Sequence, residues 1–575
     1  MFKLAKGRVS YPAVLGAILF MIVQVVANLY LPNLTADIIN NGVAKGNIAY
    51  IWSAGAKMLG FSLLSVAAAF GNVYLAARTS QGYGKNLRSD IFSKVVHYSN
   101  DELDQIGTSS LITRTTNDVV QIQNVAMMFL RMMIQAPIML VGAAFLAYQK
   151  NHTLTQIFIY VIPILIVLMG IIMIFAVPLF KKMQTKTDNI NLVFREGLTG
   201  VRVIRAFRQD DFEQERFDGV NRDYTQNATK VYSIMAIVFP AMTLIMSGTN
   251  VAIVYWGGHL IANQVMQVGN LVAFMTYAMQ ILISFMLLSM IFVFIPRGQA
   301  SAARIQQALD LKSDITDPSD PEKLEDKPVA LKYDHVNFRY ENAEALALTD
   351  IDFSATAGQT VAVIGGTGSG KSTLINLIPR LYDASDGSVN VDQTNVKDVT
   401  QHDLHGQVSF VPQKANLFTG TVRDNMQFGK PDATDDEIWH ALKVAQADGF
   451  VKEEGGLDMH VEQGGGNFSG GQRQRLAIAR ALVKKASVYV FDDSFSALDF
   501  KTDADLRAAL KADPEIQKSV VVIVGQRVST VADADTILVL DDGKVAGKGT
   551  HKELLANNKT YQEIVNSQIR EGDDK

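Results

Sequence analysis

Up to about Pro296 the chain alternates long apolar runs with polar connections, and after it the pattern changes to short apolar strands set between turn residues. Six runs stand out, roughly Tyr11 to Leu34, Ile51 to Ala77, Val125 to Ala147, Leu154 to Phe180, Ile234 to Ala262 and Leu271 to Pro296. Each is long enough, as a helix, to cross a hydrocarbon core of about 30 Å. The first contains no charged residue at all. One such run could be a buried core helix of a soluble protein; six in succession predict a polytopic all-α membrane domain.

The connections are unequal. Those after runs one, three and five are short, whereas Arg78 to about Asn124 and Lys181 to about Tyr232 are long and charged. Both long loops are expected to continue their flanking helices well past the bilayer. Lys3, Lys6 and Arg8 precede the first run, and no small-residue cleavage site follows a short apolar core. An uncleaved, cytoplasmic N-terminus is therefore expected, with no accessory domain ahead of the first span. Even numbering then puts both long loops and the C-terminal half in the cytoplasm. Within the second long loop, GVRVIRAFRQDDFEQERF (Gly200 to Phe217) has apolar residues at near-helical spacing. It suits either a membrane surface or a protein contact, and Asp210, Asp211, Glu213 and Glu215 favour the protein contact.

Composition adds exclusions. The net charge of -4 gives no reason to expect nucleic-acid binding, and the absence of cysteine rules out disulfides and thiolate metal sites. The spans carry few polar landmarks: Asn28, Asn72 and Gln280 could line an interior or pair with a neighbouring helix. Arg131 could snorkel or face a cavity. Of the 21 methionines, Met132, Met133, Met286 and Met290 fall in spans, where they could form an adaptable greasy wall or simply face lipid.

The chemistry lies beyond a polar linker, Asp314 to Pro328. The expected division is 1–312 for the membrane domain, 313–328 for the linker and 329–575 for an α/β P-loop domain. ALKYDHVNFRY reads as a strand ending at Tyr340. In VAVIGGTGSGKSTLINLI, an apolar strand, Val361 to Ile364, runs into Gly365 to Ser372, which match GxxxxGK[ST], and then into a helix. In that context the glycines let backbone amides converge on phosphate oxygens, Lys371 reaches terminal phosphates and Ser372 can ligate magnesium. VYVFDDSFSALD supplies a second strand whose end, Asp492, suits a magnesium carboxylate. FVPQ places Gln413 where an amide can sense metal and water. NFSGGQRQRLAIARAL puts Ser469, Gly470 and Gly471 ahead of a helix, a set of donors suited to a phosphate bound from outside the domain.

Together these elements resemble the ATP-binding cassette transporters, and six spans followed by one nucleotide domain are similar to their type I exporter half-transporters. The resemblance covers nearly the whole chain. It implies that Tyr340 stacks on adenine and that Gly365, Gly366, Thr367, Gly368, Ser369, Gly370, Lys371, Ser372 and Thr373 cradle ATP. It further implies that Asp492, Ser372 and Gln413 serve Mg2+, that Gln413 couples nucleotide to the membrane domain, and that Phe468 to Gln472 form the signature, with Phe where Leu is usual. Ser496 to Asp499 resemble the loop that crosses to a partner. Segments near Asp101 to Gly107 and Ala206 to Phe212 resemble the two coupling helices.

Two further departures from the family pattern bear on mechanism. Asp493 stands where the family has the Glu that polarises the attacking water, and Gln526 stands where it has His. Losing one methylene withdraws the carboxylate by roughly 1.3 Å, and a misplacement of about 1 Å can cost on the order of 10²-fold. Glutamine can donate a hydrogen bond but cannot act as an acid or base at neutral pH. Since such domains pair head to tail, an intact Ser469, Gly470 and Gly471 beside a weakened Asp493 and Gln526 predicts a heterodimer. The implied partner is a second half-transporter that retains the Glu and the His. The implied activity is ATP hydrolysis driving export, weak or absent in this chain alone. The spans lack a strong charge cluster, which favours amphipathic organic molecules or lipids over a small, highly charged solute but does not choose among drugs, lipids and peptides. The resemblance implies export of amphipathic compounds or drugs, with lipids, peptides and thiol or haem-related compounds as the alternatives.

Overall fold

The structure, a computed structural model, describes residues 2–324, 329–341 and 343–570. The linker stretch 325–328 lies outside this description, as do the side chains of residues 2, 289–294, 569 and 570, Met290 among them. The chain divides into two compact units, Met1–Val96 with Ile106–Leu311, and His97–Gln105 with Lys312–Lys575.

The first unit is helical throughout. Among the described residues six helical stretches are long and apolar enough to cross a membrane: Tyr11–Val43, Ile48–Val96, Thr108–Lys150, His152–Thr199, Asp210–Ala262 and Val268–Leu288, the last being the described apolar part of a helix that continues to Asp310. A 49-residue helix such as Ile48–Val96 is roughly 74 Å long, far beyond the hydrocarbon thickness. The charged halves of the long loops are thus continuations of the spans. Proline sits inside several of these helices (Pro32, Pro163, Pro178, Pro240 and Pro296), which a membrane tolerates where neighbouring groups take up the freed carbonyls.

The polar landmarks of the spans act as fasteners. Asn72, buried in span two, donates to the carbonyl of Ala17 in span one at 2.8 Å and to that of Leu130 in span three at 3.2 Å. Leu130 lies in a π-helical turn, Phe129–Met133, whose wider winding leaves carbonyls for outside partners and carries an exposed Arg131. Ser65 Oγ donates to Asn28 Oδ1 at 2.7 Å, and Tyr277 Oη donates to the Leu29 carbonyl at 2.9 Å. Gln280 Oε1 is buried with no protein partner among the described residues. Met132, Met133 and Met286 are half-buried.

Beyond the apolar part of spans three and six, a charged lock joins their extensions. Buried Asp118 accepts from Ser301 Oγ at 2.8 Å and from Arg304 through both Nε, at 2.8 Å, and Nη2. Arg114 donates to the Arg304 carbonyl at 2.7 Å and to Gln307 Oε1 at 2.9 Å. Burial works to raise the Asp118 pKa, but the hydrogen bonds and charge of Arg304, with Ser301, outweigh it and hold the carboxyl below its ordinary value. Its contribution to stability is therefore present above the ordinary carboxylate range and fades as pH falls through the lower folded value. Asp118→Ala is expected to lose about 2 kcal/mol, since it removes a charged acceptor from three donors. The check is thermal unfolding, with a lower Tm at neutral pH and a shrinking difference from wild type in acid.

Among the described residues the second unit is built on two large sheets, with a two-stranded ribbon of Gly420–Thr421 and His460–Val461 beside them. One runs Lys544–Gly549, Thr536–Asp541, Thr360–Gly365, Val520–Val524, Val488–Asp492 and Val408–Val411, all parallel except the first pair. The other is antiparallel, in the order Leu348–Thr356, Ala330–Phe338, Asp386–Val391 and Thr394–Asn395. Val488–Asp492 and Val520–Val524 are buried at every position, as central parallel strands covered on both faces must be. Register aligns Val524 with Asp492 on one side and Val363 on the other, so the functional segments emerge together at one sheet edge.

His97–Gln105 belongs to this unit because Glu102 ties it there. The Glu102 carboxylate accepts from Ser99 N and Oγ at 2.6 and 2.5 Å, from Asp314 N at 3.1 Å and from Ser313 Oγ at 3.3 Å. The short helix expected near Asp101 to Gly107 is Asn100–Ile106. The one expected at Ala206 to Phe212 needs correction: the helix is Val201–Ala206. Gly200 ends the preceding helix, and Arg208 adopts φ of 54° in the turn before Asp210 starts the next. None of its residues is buried, and Val203, Phe207 and Phe212 are exposed.

Candidate functional site

The loop Gly365–Ser372 leaves the strand Thr360–Gly365 and enters the helix Lys371–Asn376. Two glycines are sterically required. A Cβ on Gly365 would lie 2.2 Å from the Leu540 carbonyl oxygen, and Gly370 adopts φ of 96° with the Ala347 carbonyl 3.0 Å from any Cβ. Lys371 Nζ donates to the carbonyls of Gly365 and Gly366 at 3.0 and 2.6 Å, so its ammonium already hangs over the loop. Ser369 Oγ, in the same turn, is buried with no protein partner among the described residues. Beside Tyr340, Thr373 and Lys371, a cavity of about 300 Å³ also touches Gly368, Ser372 and Gly543. Gly366 and Thr367 lie on the exposed side of the loop.

Across the strand Val520–Val524, Asp492 and Asp493 close the site. Ser372 Oγ donates to Asp492 Oδ1 at 3.3 Å. Asp493 is buried, takes φ of 47° as its strand ends, and is anchored by its amide to the Val524 carbonyl at 3.1 Å. Its Oδ2 is shared by two amides: Gln413 Nε2 donates at 3.2 Å and Gln526 Nε2 at 2.9 Å. Burial pushes both carboxyls above their ordinary values. For Asp492 the neighbouring Asp493 charge adds to the rise, while Ser372 and Lys371 oppose it. For Asp493 the opposition comes from Gln413, Ser496, Lys371 and Arg527. Burial lowers the Lys371 pKa against both carboxylates.

Six sequence-predicted residues thus meet around one point: Lys371, Ser372, Asp492, Asp493, Gln413 and Gln526. The donor set fits Mg2+ with a nucleotide phosphate. It offers a hydroxyl beside a carboxylate for the ion, an orphaned buried hydroxyl, and a loop whose close approaches admit only glycine.

Ser469, Gly470 and Gly471 are elsewhere. Ser469 caps the helix Gly470–Leu482 by accepting from Gln472 N at 3.2 Å, and Gln472 Oε1 returns the bond to Ser469 N at 2.9 Å. Phe468 is buried against Phe450, which explains how an aromatic is accommodated at this position. Ser469 and Gly470 are exposed, and no hydrogen bond or ion pair among the described residues joins them to the phosphate loop. Asp499 likewise caps the helix Phe500–Ala512, receiving Thr502 N at 3.0 Å.

Tyr340 Oη is 2.8 Å from Thr373 Oγ1, with its ring edge-on to Tyr382 at 5.4 Å. Tyr382, which sequence reading did not single out, also receives a side-chain hydrogen bond from Asn100 of the first short helix. A second omission is Gln568. It donates to the Gln526 carbonyl at 2.7 Å and accepts from Val528 N at 2.8 Å, pinning the backbone that presents Gln526. Only a register of the C-terminal helix against this loop could have revealed it.

Comparison with known proteins identifies the family. The family model for the ABC transporter transmembrane region matches residues 14–285, and that for the ABC transporter nucleotide domain matches 348–496. An uncharacterized ABC transporter ATP-binding protein of Mycobacterium tuberculosis (strain CDC 1551 / Oshkosh) is 41% identical over 96% of this chain and 95% of its own. An ATP-dependent lipid A-core flippase of Desulfotalea psychrophila is 31% identical over 85% of both chains. A multidrug resistance ABC transporter ATP-binding and permease protein of Lactococcus lactis is 27% identical over 100% of this chain and 95% of its own. A bacterial Atm1-family ABC exporter with ATP bound superposes with a TM-score of 0.80 at 25% identity, covering 97% of this chain and 99% of that one. A six-span membrane region and an ATP-binding unit, each matched along a relative of nearly equal length, make this chain a member of the ATP-binding cassette transporters: a multi-pass exporter-type half-transporter that couples ATP hydrolysis to transport.

Proposed function

We propose that this chain is the degenerate-site half of a heterodimeric exporter of amphipathic compounds. Its nucleotide domain (329–575) and N-terminus lie in the cytoplasm, joined to the membrane domain (1–312) by the linker 313–328. The observation that carries this reading is the double engagement of Asp493, whose one carboxylate oxygen is held by the amides of Gln413 and Gln526. A catalytic carboxylate needs a free lone pair toward water. Here two neutral donors fill one of the two carboxylate oxygens and hold the side chain in place, and neither can relay a proton.

In this reading, Tyr340 stacks on adenine, and Gly365 to Thr373 with Lys371 hold the phosphates. Ser372 and Asp492 hold Mg2+, faced by Gln413. When bound, the ion offsets phosphate charge and polarises the terminal phosphoryl group. The chain's own residues retain nucleotide and fix Gln413, while Ser469, Gly470 and Gly471 complete the partner's site across the interface. The exposed Val201–Ala206 helix with Phe207 and Phe212 supplies a surface for the partner's nucleotide domain. Amphipathic cargo agrees with spans in which Asn72 and Tyr277 are spent on neighbouring backbone carbonyls, and with relatives named for a lipid A core and for multiple drugs. The test is phosphate release by the purified chain with and without its partner. Weak turnover alone and strong turnover together are expected; robust turnover by the chain alone sinks the reading.

A further inference from the structure

Where spans one and two leave the apolar zone on the Arg8 side, a cavity of about 500 Å³ opens between them. Its walls change character with depth. Pro12, Ala13 and Leu75 belong to the apolar runs, and Arg78 is the first charged residue after the second run. Arg78 is exposed and has no hydrogen-bond or ion-pair partner among the described residues. Thr79 and Tyr83 also line the cavity. They are 7% and 4% exposed, and neither hydroxyl has a partner among the described residues. Buried hydroxyls left unpaired are costly, and two on one wall indicate that something outside the protein completes them.

Two of the other polar groups on the lining are already committed. Arg8 is paired with Asp90 and donates to the Leu4 carbonyl at 3.0 Å, while the Arg8 carbonyl accepts from Asn86 Nδ2 at 2.9 Å. Charge around the cavity is nevertheless one-sided. Residues 1–10 and 78–90 carry Lys3, Lys6, Arg8, Arg78, Lys85 and Arg88 against a single carboxylate, Asp90. A Cβ on Gly82, on the same wall, meets nothing within 4 Å.

We propose that this cavity binds the phosphate headgroup of an anionic phospholipid. Arg78 pairs with the phosphate, the hydroxyls of Thr79 and Tyr83 donate to its oxygens, and the acyl chains lie along Leu75 and Ala13. A free phosphate would satisfy the polar wall alone, whereas a lipid also fits the apolar wall and the position at the end of two spans. Assignment to the cytoplasmic leaflet rests on the orientation proposed above; the binding does not.

The test uses the full-length protein in its purified assembly, in detergent micelles supplemented with phosphatidylglycerol, with phosphatidylcholine or with inorganic phosphate. Phosphatidylglycerol is expected to raise the Tm of the wild type above the phosphatidylcholine value, and inorganic phosphate to leave it unchanged. Arg78→Gln is expected to weaken phosphatidylglycerol binding about tenfold, the loss of one charge-assisted contact. Gly82→Phe, which fills the open space, should abolish it. The double variant Thr79→Val with Tyr83→Phe should be at least as stable as wild type in phosphatidylcholine yet gain less from phosphatidylglycerol, an opposition that a purely structural role for these hydroxyls does not produce. The proposal is overturned if Arg78→Gln and Gly82→Phe keep the full lipid effect, or if inorganic phosphate reproduces it. Micelles have no leaflets and binding needs no hydrolysis, so failure here leaves the orientation and the degenerate-site reading standing.

Discussion

Gly470→Asp in this chain is expected to lower ATP turnover of the assembled exporter by about 10²-fold or more, the scale of losing one preorganised anion-binding donor set. The substitution has room: a Cβ at Gly470 meets nothing within 4 Å, and the Ser469–Gln472 cap beside it stays intact. Any large effect must therefore come from what this surface faces outside the chain. An added carboxylate there would repel a phosphate held by the partner. Asp493→Asn in the same assembly should cost little, because that side chain is already engaged as an acceptor of two amides. Steady-state phosphate release by the two variants decides the matter. Equal losses, or an indifferent Gly470→Asp, would show that the intact signature serves no partner site.

The converse experiment rebuilds the site. Asp493→Glu with Gln526→His is expected to raise hydrolysis at this chain's own nucleotide by about 10²-fold, measured in a single turnover with the partner's site disabled. The geometry predicts strong coupling between the two changes. A glutamate pushes its carboxylate forward by roughly one methylene, into the space of the two amide donors, so the single substitution breaks their hydrogen bonds without supplying a proton carrier. Histidine alone finds a carboxylate set too far back. Turnover by the double variant at the wild-type level would mean that the limitation lies elsewhere in the loop.

Much of this was legible because the signals are local. Charge-free runs longer than a bilayer is thick have one economical fold, and glycines at fixed offsets before Lys371 and Ser372 need only their neighbours to make sense. The meeting of Asp492, Asp493, Gln413 and Gln526 followed from apolar strands that all end at one sheet edge. What stayed hidden depends on partners distant in sequence. That Gln413 and Gln526 share one oxygen, that Gln568 holds the loop before Val528, and that Tyr382 links Tyr340 to Asn100 are consequences of tertiary packing. The second short helix was misplaced because a positive φ at Arg208, a residue type with no preference for it, sets the break. Asn72 could be singled out as polar, but not as a double donor, since its second acceptor exists only where span three winds into a π-turn.

That double donation has a mechanical consequence. One amide binds spans one and three to span two, Tyr277 binds span six to span one, and the Asp118–Arg304 lock binds spans three and six. Spans four and five are fastened to each other instead, by Asn227 on the Leu179 carbonyl at 3.1 Å and by Lys186 with Asp223 at 2.6 Å. Among the described residues their hydrogen-bonded tie to span six is soft, the Asn250 amide on the Met279 thioether at 3.7 Å, beside apolar packing such as Phe158 stacked on Phe274. Shearing the first set apart costs several hydrogen bonds, those within the apolar zone without competing water, while sliding the second set past it costs one weak hydrogen bond and a rearrangement of non-directional apolar contacts. Motion during transport should therefore divide the six spans into a stiff group of four and a mobile pair, with the compliance of the machine concentrated along the seam between them.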